Sequence, residues 1–127
     1  MTVSILVMAG GTGGHVIPAL TVAELLRQRG YAVHWLGAEQ GIENRLVPVH
    51  NFPLHRLSIS GVRGGGVMRK VTAPLKLLSA VLAARRVIRQ VRPKLTLGFG
   101  GFASGPGGLA SVLSGIPLII HEQNAVP

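Results

Sequence analysis

Residues 3–9, VSILVMA, are an unbroken apolar run of strand length, whereas apolar positions recur at helical spacing through residues 16–29, VIPALTVAELLRQR. Leu20, Ala23 and Leu26 then share one face of a helix that Gly30 ends. Residues 31–37, YAVHWLG, predict a second strand. A strand, a glycine turn, a helix and a strand within about 35 residues have the size of a parallel crossover unit. Further along, the pattern predicts a short helix near 39–45, a strand near 54–59, a long helix over about 73–91, a strand at 95–98, a helix over about 106–114 and a strand at 117–121. Strands alternating with helices predict the α/β class, as a doubly wound parallel sheet. Such sheets take ligands beyond the carboxyl ends of their strands. The loops at 10–15, 99–105 and 121–124 are therefore expected to meet on one edge.

The helix over 73–91 carries two apolar stripes. Leu77, Val81, Ala84, Ile88 and Val91 form one, suited to the core. Leu75, Leu78 and Leu82 lie on another face, which continues into Arg85, Arg86 and Arg89. Leucines beside arginines suit an anionic membrane surface, where each nearby cation contributes on the order of 1 kcal/mol. The alternative is that the second stripe packs on protein.

Glycine, at 18 of 127 residues, clusters at 10–14, 61–66 and 98–108. In GGTGGHV the spacing Gly11-x-Gly13-x-x-Val16 lacks the third dinucleotide glycine, and VHWLGAEQ offers no immediate acid for a ribose. No Gly-Lys-Ser/Thr follows either, which excludes a P-loop. What remains is a set of amides without side chains at a helix N-terminus, a place that favours an anion such as a diphosphate. GFGGFASGPGG repeats the arrangement, with Ser104 expected as N-cap and Pro106 in the first turn. Two such cradles on one edge suit one diphosphate, held by Gly11, Gly13 and Gly14 from the first loop and by Gly100, Gly101, Ser104 and Gly105 from the second. Glycines needed only for close packing are the alternative. His15 stands at the lip of the first loop, and an imidazole with an ordinary pKa of about 6.5 is a candidate base toward a hydroxyl, or else a local packing group. His121 and Glu122, with Asn124 just after, fall on the same predicted edge, where Glu122 is a second candidate, for orienting an imidazole or a hydroxyl.

At 127 residues, 47% of them hydrophobic and 4% aromatic, the chain has the size of one domain with an aliphatic core. Without cysteine it has neither disulfides nor thiolate metal ligands, which fits a reducing compartment. The start, MTVSILVMAGG, has no basic segment ahead of its short apolar run and is expected to be a strand rather than a signal peptide. Residues 95–120 carry no charge, but seven glycines and two prolines divide them into pieces too short for a membrane span. The net charge is +9, and ten of the thirteen basic residues fall between Arg56 and Lys94. An anionic surface is implied, whether nucleic acid, anionic lipid or a phosphorylated substrate, the alternative being a merely soluble basic face. Nucleic acid is the least suited, because the five aromatic residues form no stacking cluster among the cations.

GGTGGH followed by PAL, then ISGVRGGG, APLKLL, LGFGGFASGPGG and GIPLIIHEQNAVP, in this order over essentially the whole chain, resemble the N-terminal half of the MurG family. These are bacterial transferases that move N-acetylglucosamine from UDP-GlcNAc to lipid I, making lipid II for peptidoglycan. The resemblance implies a GT-B architecture of two Rossmann-like domains, with acceptor and membrane on the N-terminal one and most of the donor site on a C-terminal domain. Residues 1–127 are then expected to be the acceptor domain, truncated near its end and inactive alone. The resemblance carries donor contacts to Thr12, Gly13, Gly14 and Asn124, the lipid I diphosphate to the two glycine loops, and the base toward the acceptor C4 hydroxyl to His15. It implies a peripheral protein of the cytoplasmic face of the inner membrane, working beside other cell-wall synthesis proteins, with no cofactor, metal or nucleic acid. Another GT-B sugar-nucleotide enzyme and a non-catalytic anion- or membrane-binding module are the alternatives.

Overall fold

The computed structural model describes residues 2–11, 13–57, 67–101 and 103–121, residues 67–73 by their backbone. Strands and helices alternate as β1 (Ser4–Ala9), α1 (Gly13–Gln28), β2 (Ala32–Ala38), α2 (Glu43–Val49), β3 (Leu54–Leu57), α3 (Val67–Val91), β4 (Leu95–Gly100), α4 (Ser104–Leu113) and β5 (Leu118–Ile120). All pairings are parallel, in the order β3-β2-β1-β4-β5.

β1 lies at the centre, and its alternating side chains build two cores. Ile5, Val7 and Ala9 pack with Val16, Ala19, Leu20 and Ala23 of α1 and Val47 of α2. Leu6 and Met8 face the opposite way, against Val81, Ala84 and Ile88 of α3 and Ala110 of α4. Helices cover both faces, which is why β1 reads as a continuous apolar run instead of an alternating one. The chain winds from β1 to β2 and β3 on one side, then returns to β4 on the other side of β1. The switch point is therefore between β1 and β4, where α1 and α4 leave toward opposite faces.

The short helix expected near 39–45 lies at Glu43–Val49 and the long helix expected from about 73 starts at Val67, and three further expectations need correction. α1 begins at Gly13 rather than at 16, because Gly13, Gly14 and His15 form its first turn although they carry no apolar signal and glycine is a poor helix former. Ser104 is the first residue of α4 and not its N-cap; Ala103 occupies that position with no side-chain cap, since the Ser104 hydroxyl is bonded elsewhere. Leu77 is 52% exposed instead of joining the core, and among the described side chains of α3, from residue 74 on, burial begins at Ala80. The cause is length. A 25-residue helix spans about 37 Å, while a seven-residue strand spans about 23 Å, so the N-terminal part of α3 overhangs the sheet.

Candidate functional site

The two glycine turns meet backbone to backbone at the switch point. The Gly10 N–H donates to the Gly100 carbonyl at 3.3 Å. Gly101, at φ +89°, leaves no room for a side chain, because a Cβ there would overlap the Gly10 carbonyl. Beside this junction is a cleft of about 400 Å³, lined by His15, Gly100, Gly101, Ser104, Gly105 and His121 among others. The second loop and His15 thus converge as expected. Thr12, Glu122 and Asn124 lie outside the described residues, as does the glycine cluster at 61–66.

His15 is held in one orientation. Its Nδ1 lies 3.1 Å from the Phe99 carbonyl. A carbonyl only accepts, so Nδ1 carries the proton, and the neutral ring keeps its lone pair on Nε2. Gly100 makes this seat possible, since a Cβ there would come within 2.5 Å of Nδ1. The His121 ring stacks on Phe99 with centroids 5.4 Å apart, which places a second imidazole on the same wall.

The glycines divide into groups that the sequence does not separate. Gly107 is a packing residue, whose Cβ would overlap the Met8 side chain where α4 crosses β1. Gly100 and Gly101 serve the close approach just described. A Cβ added at Gly105 would meet nothing within 4 Å, and one at Gly13 would meet only Ile17 Cγ1, at 3.9 Å. Both sit in the first turn of a helix, and packing does not demand glycine at either position. Glycine at these two sites leaves backbone amides open to a ligand beside two helix N-termini. Gly14 stands between Gly13 and His15 in the same first turn. Gly11 is different again: its φ of +93° suits the turn, and its N–H is already donated to Glu43 Oε1 at 3.1 Å.

Side chains from other elements hold these bare turns. The Ser104 hydroxyl accepts from the Gly100 N–H at 3.0 Å and directs its own proton to the carbonyls of Met8 and Gly100, at 2.9 and 2.8 Å. It braces the second turn from within. Trp35, fully buried, donates Nε1–H to the Ala9 carbonyl at 2.9 Å. Glu43, also fully buried, spans from Gly11 to Ala38, where Oε2 accepts the amide at 2.9 Å. Sequence reading missed Glu43, whose one signal is an acid in a chain with only four.

On the outer face of α3, Leu75, Leu78 and Leu82 are 60%, 54% and 51% exposed. Leu82 lines a shallow groove of about 170 Å³ with Arg85, Arg86 and Arg89, so the apolar stripe meets the arginines at Leu82. Leu77 enlarges the apolar overhang. Among the described residues no helix is long and apolar enough to cross a membrane, and no group of three or more His, Cys, Asp or Glu gathers in the manner of a metal site.

A parallel sheet with glycine turns and helix N-termini at its switch point defines a Rossmann-like α/β domain, the N-terminal half of a GT-B glycosyltransferase fold. The chain belongs to the glycosyltransferase family 28 N-terminal domain family, whose profile matches residues 5–127. It is 58% identical over 126 residues to a UDP-N-acetylglucosamine–N-acetylmuramyl-(pentapeptide) pyrophosphoryl-undecaprenol N-acetylglucosamine transferase of Pseudomonas fluorescens, covering 99% of this chain and 35% of that protein. The transferase of the same name from Alcanivorax borkumensis is 58% identical over 127 residues, 100% of this chain and 36% of its own. The chain therefore spans about a third of the length of these curated relatives. The crystal structure of Acinetobacter baumannii MurG superposes with a TM-score of 0.85 at 51% identity, over 97% of this chain and 36% of that one. A UDP-GlcNAc 2-epimerase from Methanocaldococcus jannaschii shares the fold alone, with a TM-score of 0.64 at 14% identity over 94% of this chain and 31% of that one.

Proposed function

We propose that the complete protein transfers N-acetylglucosamine from UDP-GlcNAc to lipid I, and that this chain is its acceptor half. The observation that carries the reading is that His15 and Gly105 line one cleft: a ring whose free nitrogen is fixed as Nε2 shares it with a helix N-terminal glycine that packing does not require to be glycine. The similarity to transferases of this name over the whole chain supports the substrate assignment.

In this mechanism the acceptor diphosphate is held by the two glycine loops, Gly11, Gly13 and Gly14 on one side and Gly100, Gly101, Ser104 and Gly105 on the other. Gly11 and Ser104 contribute mainly by shaping their turns, because the Gly11 N–H and the Ser104 hydroxyl are already bonded within the protein. His15 Nε2 takes the proton of the acceptor C4 hydroxyl as its oxygen attacks the anomeric carbon of the sugar. The new C–O bond forms on the face opposite the departing UDP, which leaves with the electrons of the broken C–O bond, so the configuration inverts. Thr12, Gly13, Gly14 and Asn124 face the donor, Glu122 orients the reacting groups, and a C-terminal domain of the same protein supplies most of the donor site. The leucines and arginines of α3 rest on anionic lipid at the cytoplasmic face of the inner membrane, where the acceptor is anchored and the other cell-wall enzymes work.

The test is His15→Ala in the complete enzyme. Losing a general base lowers kcat by about 10²–10⁴-fold. Turnover at the wild-type rate, with binding to anionic vesicles retained, would show that His15 is not the base.

A further inference from the structure

Glu43 is the one acid buried among the described residues, and none of their cations pairs with it. Its charge-bearing group is met by backbone instead. Oε1 accepts the Gly11 N–H at 3.1 Å and Oε2 the Ala38 N–H at 2.9 Å, so one side chain ties the turn after β1 to the end of β2. Three glycines form its slot. A Cβ at Gly10 or Gly41 would overlap the carboxyl group, and one at Gly37 would come within 2.7 Å of Cγ. Neighbouring Asn44 closes the same corner, donating Nδ2–H to the carbonyls of Ala38 and Gly41 at 3.1 and 3.3 Å.

The turn held in this way is the one that leads into His15. Gly10 is gripped from the other side by the Gly100–Gly101 turn, and His15 is bonded to Phe99 on β4. The start of α1 is thus fixed at two points, one on β4 and one on Glu43. We propose that Glu43 is a positioning residue for the reaction: it sets the Gly11 turn so that His15 Nε2 and the first amides of α1 face the acceptor. This inference rests on the reading of His15 as the base. A carboxyl suits the task because two N–H donors arrive at two different oxygens, whereas the amide of glutamine offers only one acceptor and turns an NH₂ toward the other donor.

The experiment uses the complete enzyme at saturating UDP-GlcNAc and lipid I analogue, comparing Glu43→Gln, His15→Ala and the double variant. Displacing a reacting group by about 1 Å costs roughly 100-fold in rate, so Glu43→Gln is expected to lower kcat by up to that factor. Residues that act as one unit are non-additive, and the double variant should turn over no more slowly than His15→Ala alone. Val47→Ala, which opens the core beneath the same helix without touching the turn, controls for lost stability and should lower the melting temperature while leaving kcat unchanged. If Glu43→Gln fails to fold, Gly37→Ala, whose methyl displaces Glu43 Cγ while both oxygens remain, should give the same fall in kcat. A wild-type kcat in Glu43→Gln with His15→Ala impaired overturns this inference alone, as does a double variant whose losses multiply. A wild-type kcat in His15→Ala removes the base reading and this inference with it.

Discussion

Gly101 and Gly105, four residues apart, face opposite demands. Gly101 needs a positive φ and touches the Gly10 carbonyl, so Gly101→Ala should cost about 1–3 kcal/mol from backbone strain alone, with the overlap adding to it. Gly105 needs neither. Gly105→Ala places a methyl in open space on a helical residue, which should raise stability by about 0.4–1 kcal/mol. If that space admits the acceptor diphosphate, the same variant should lose turnover. Urea unfolding and a transfer assay on both variants give the check: a Gly105→Ala enzyme that is more stable and fully active would mean that the glycine serves no ligand. The sequence shows a glycine-rich loop but not this division, because the room around a missing Cβ belongs to distant neighbours such as Gly10, Met8 and His15. Ser104 illustrates the same limit. Its place before a helix predicts a cap, and only the fold brings Met8 and Gly100 within reach of its hydroxyl.

Among the elements, the alternation of strands and helices is legible from periodicity because each reports its own burial. β1, α1 and β4 are found where their apolar runs predict them, with ends shifted by a few residues where glycine carries no apolar signal. α3 shows what periodicity leaves out. The wheel separates Leu75, Leu78 and Leu82 from the core stripe correctly, yet it assigns Leu77 to the core because it cannot see where the sheet ends. The overhang this creates carries the membrane prediction. Changing Leu75, Leu78 and Leu82 to serine in the complete protein should weaken association with anionic vesicles severalfold while leaving the fold intact, since all three are already exposed. Co-sedimentation that is undiminished in the triple variant would mean that this face serves another purpose.

For the whole molecule, the fold explains why chemistry gathers at one edge. The strand order reverses between β1 and β4, two helices start there on opposite faces, and Trp35, Glu43 and Ser104 brace the turns that neither helix can brace alone. The substrates are a different matter. Glycine loops and a histidine suggest an anion site with a base; the proposed sugar and lipid rest on the ordered motifs and on similarity along the whole chain. Because the chain spans about a third of its relatives, the decisive assay belongs to the complete protein. The measurement is transfer of labelled N-acetylglucosamine from UDP-GlcNAc, offered lipid I analogue and a non-lipid sugar acceptor side by side. The predicted result is a product on lipid I that carries the added sugar in inverted configuration. Transfer to the non-lipid acceptor with none to lipid I would contradict the account.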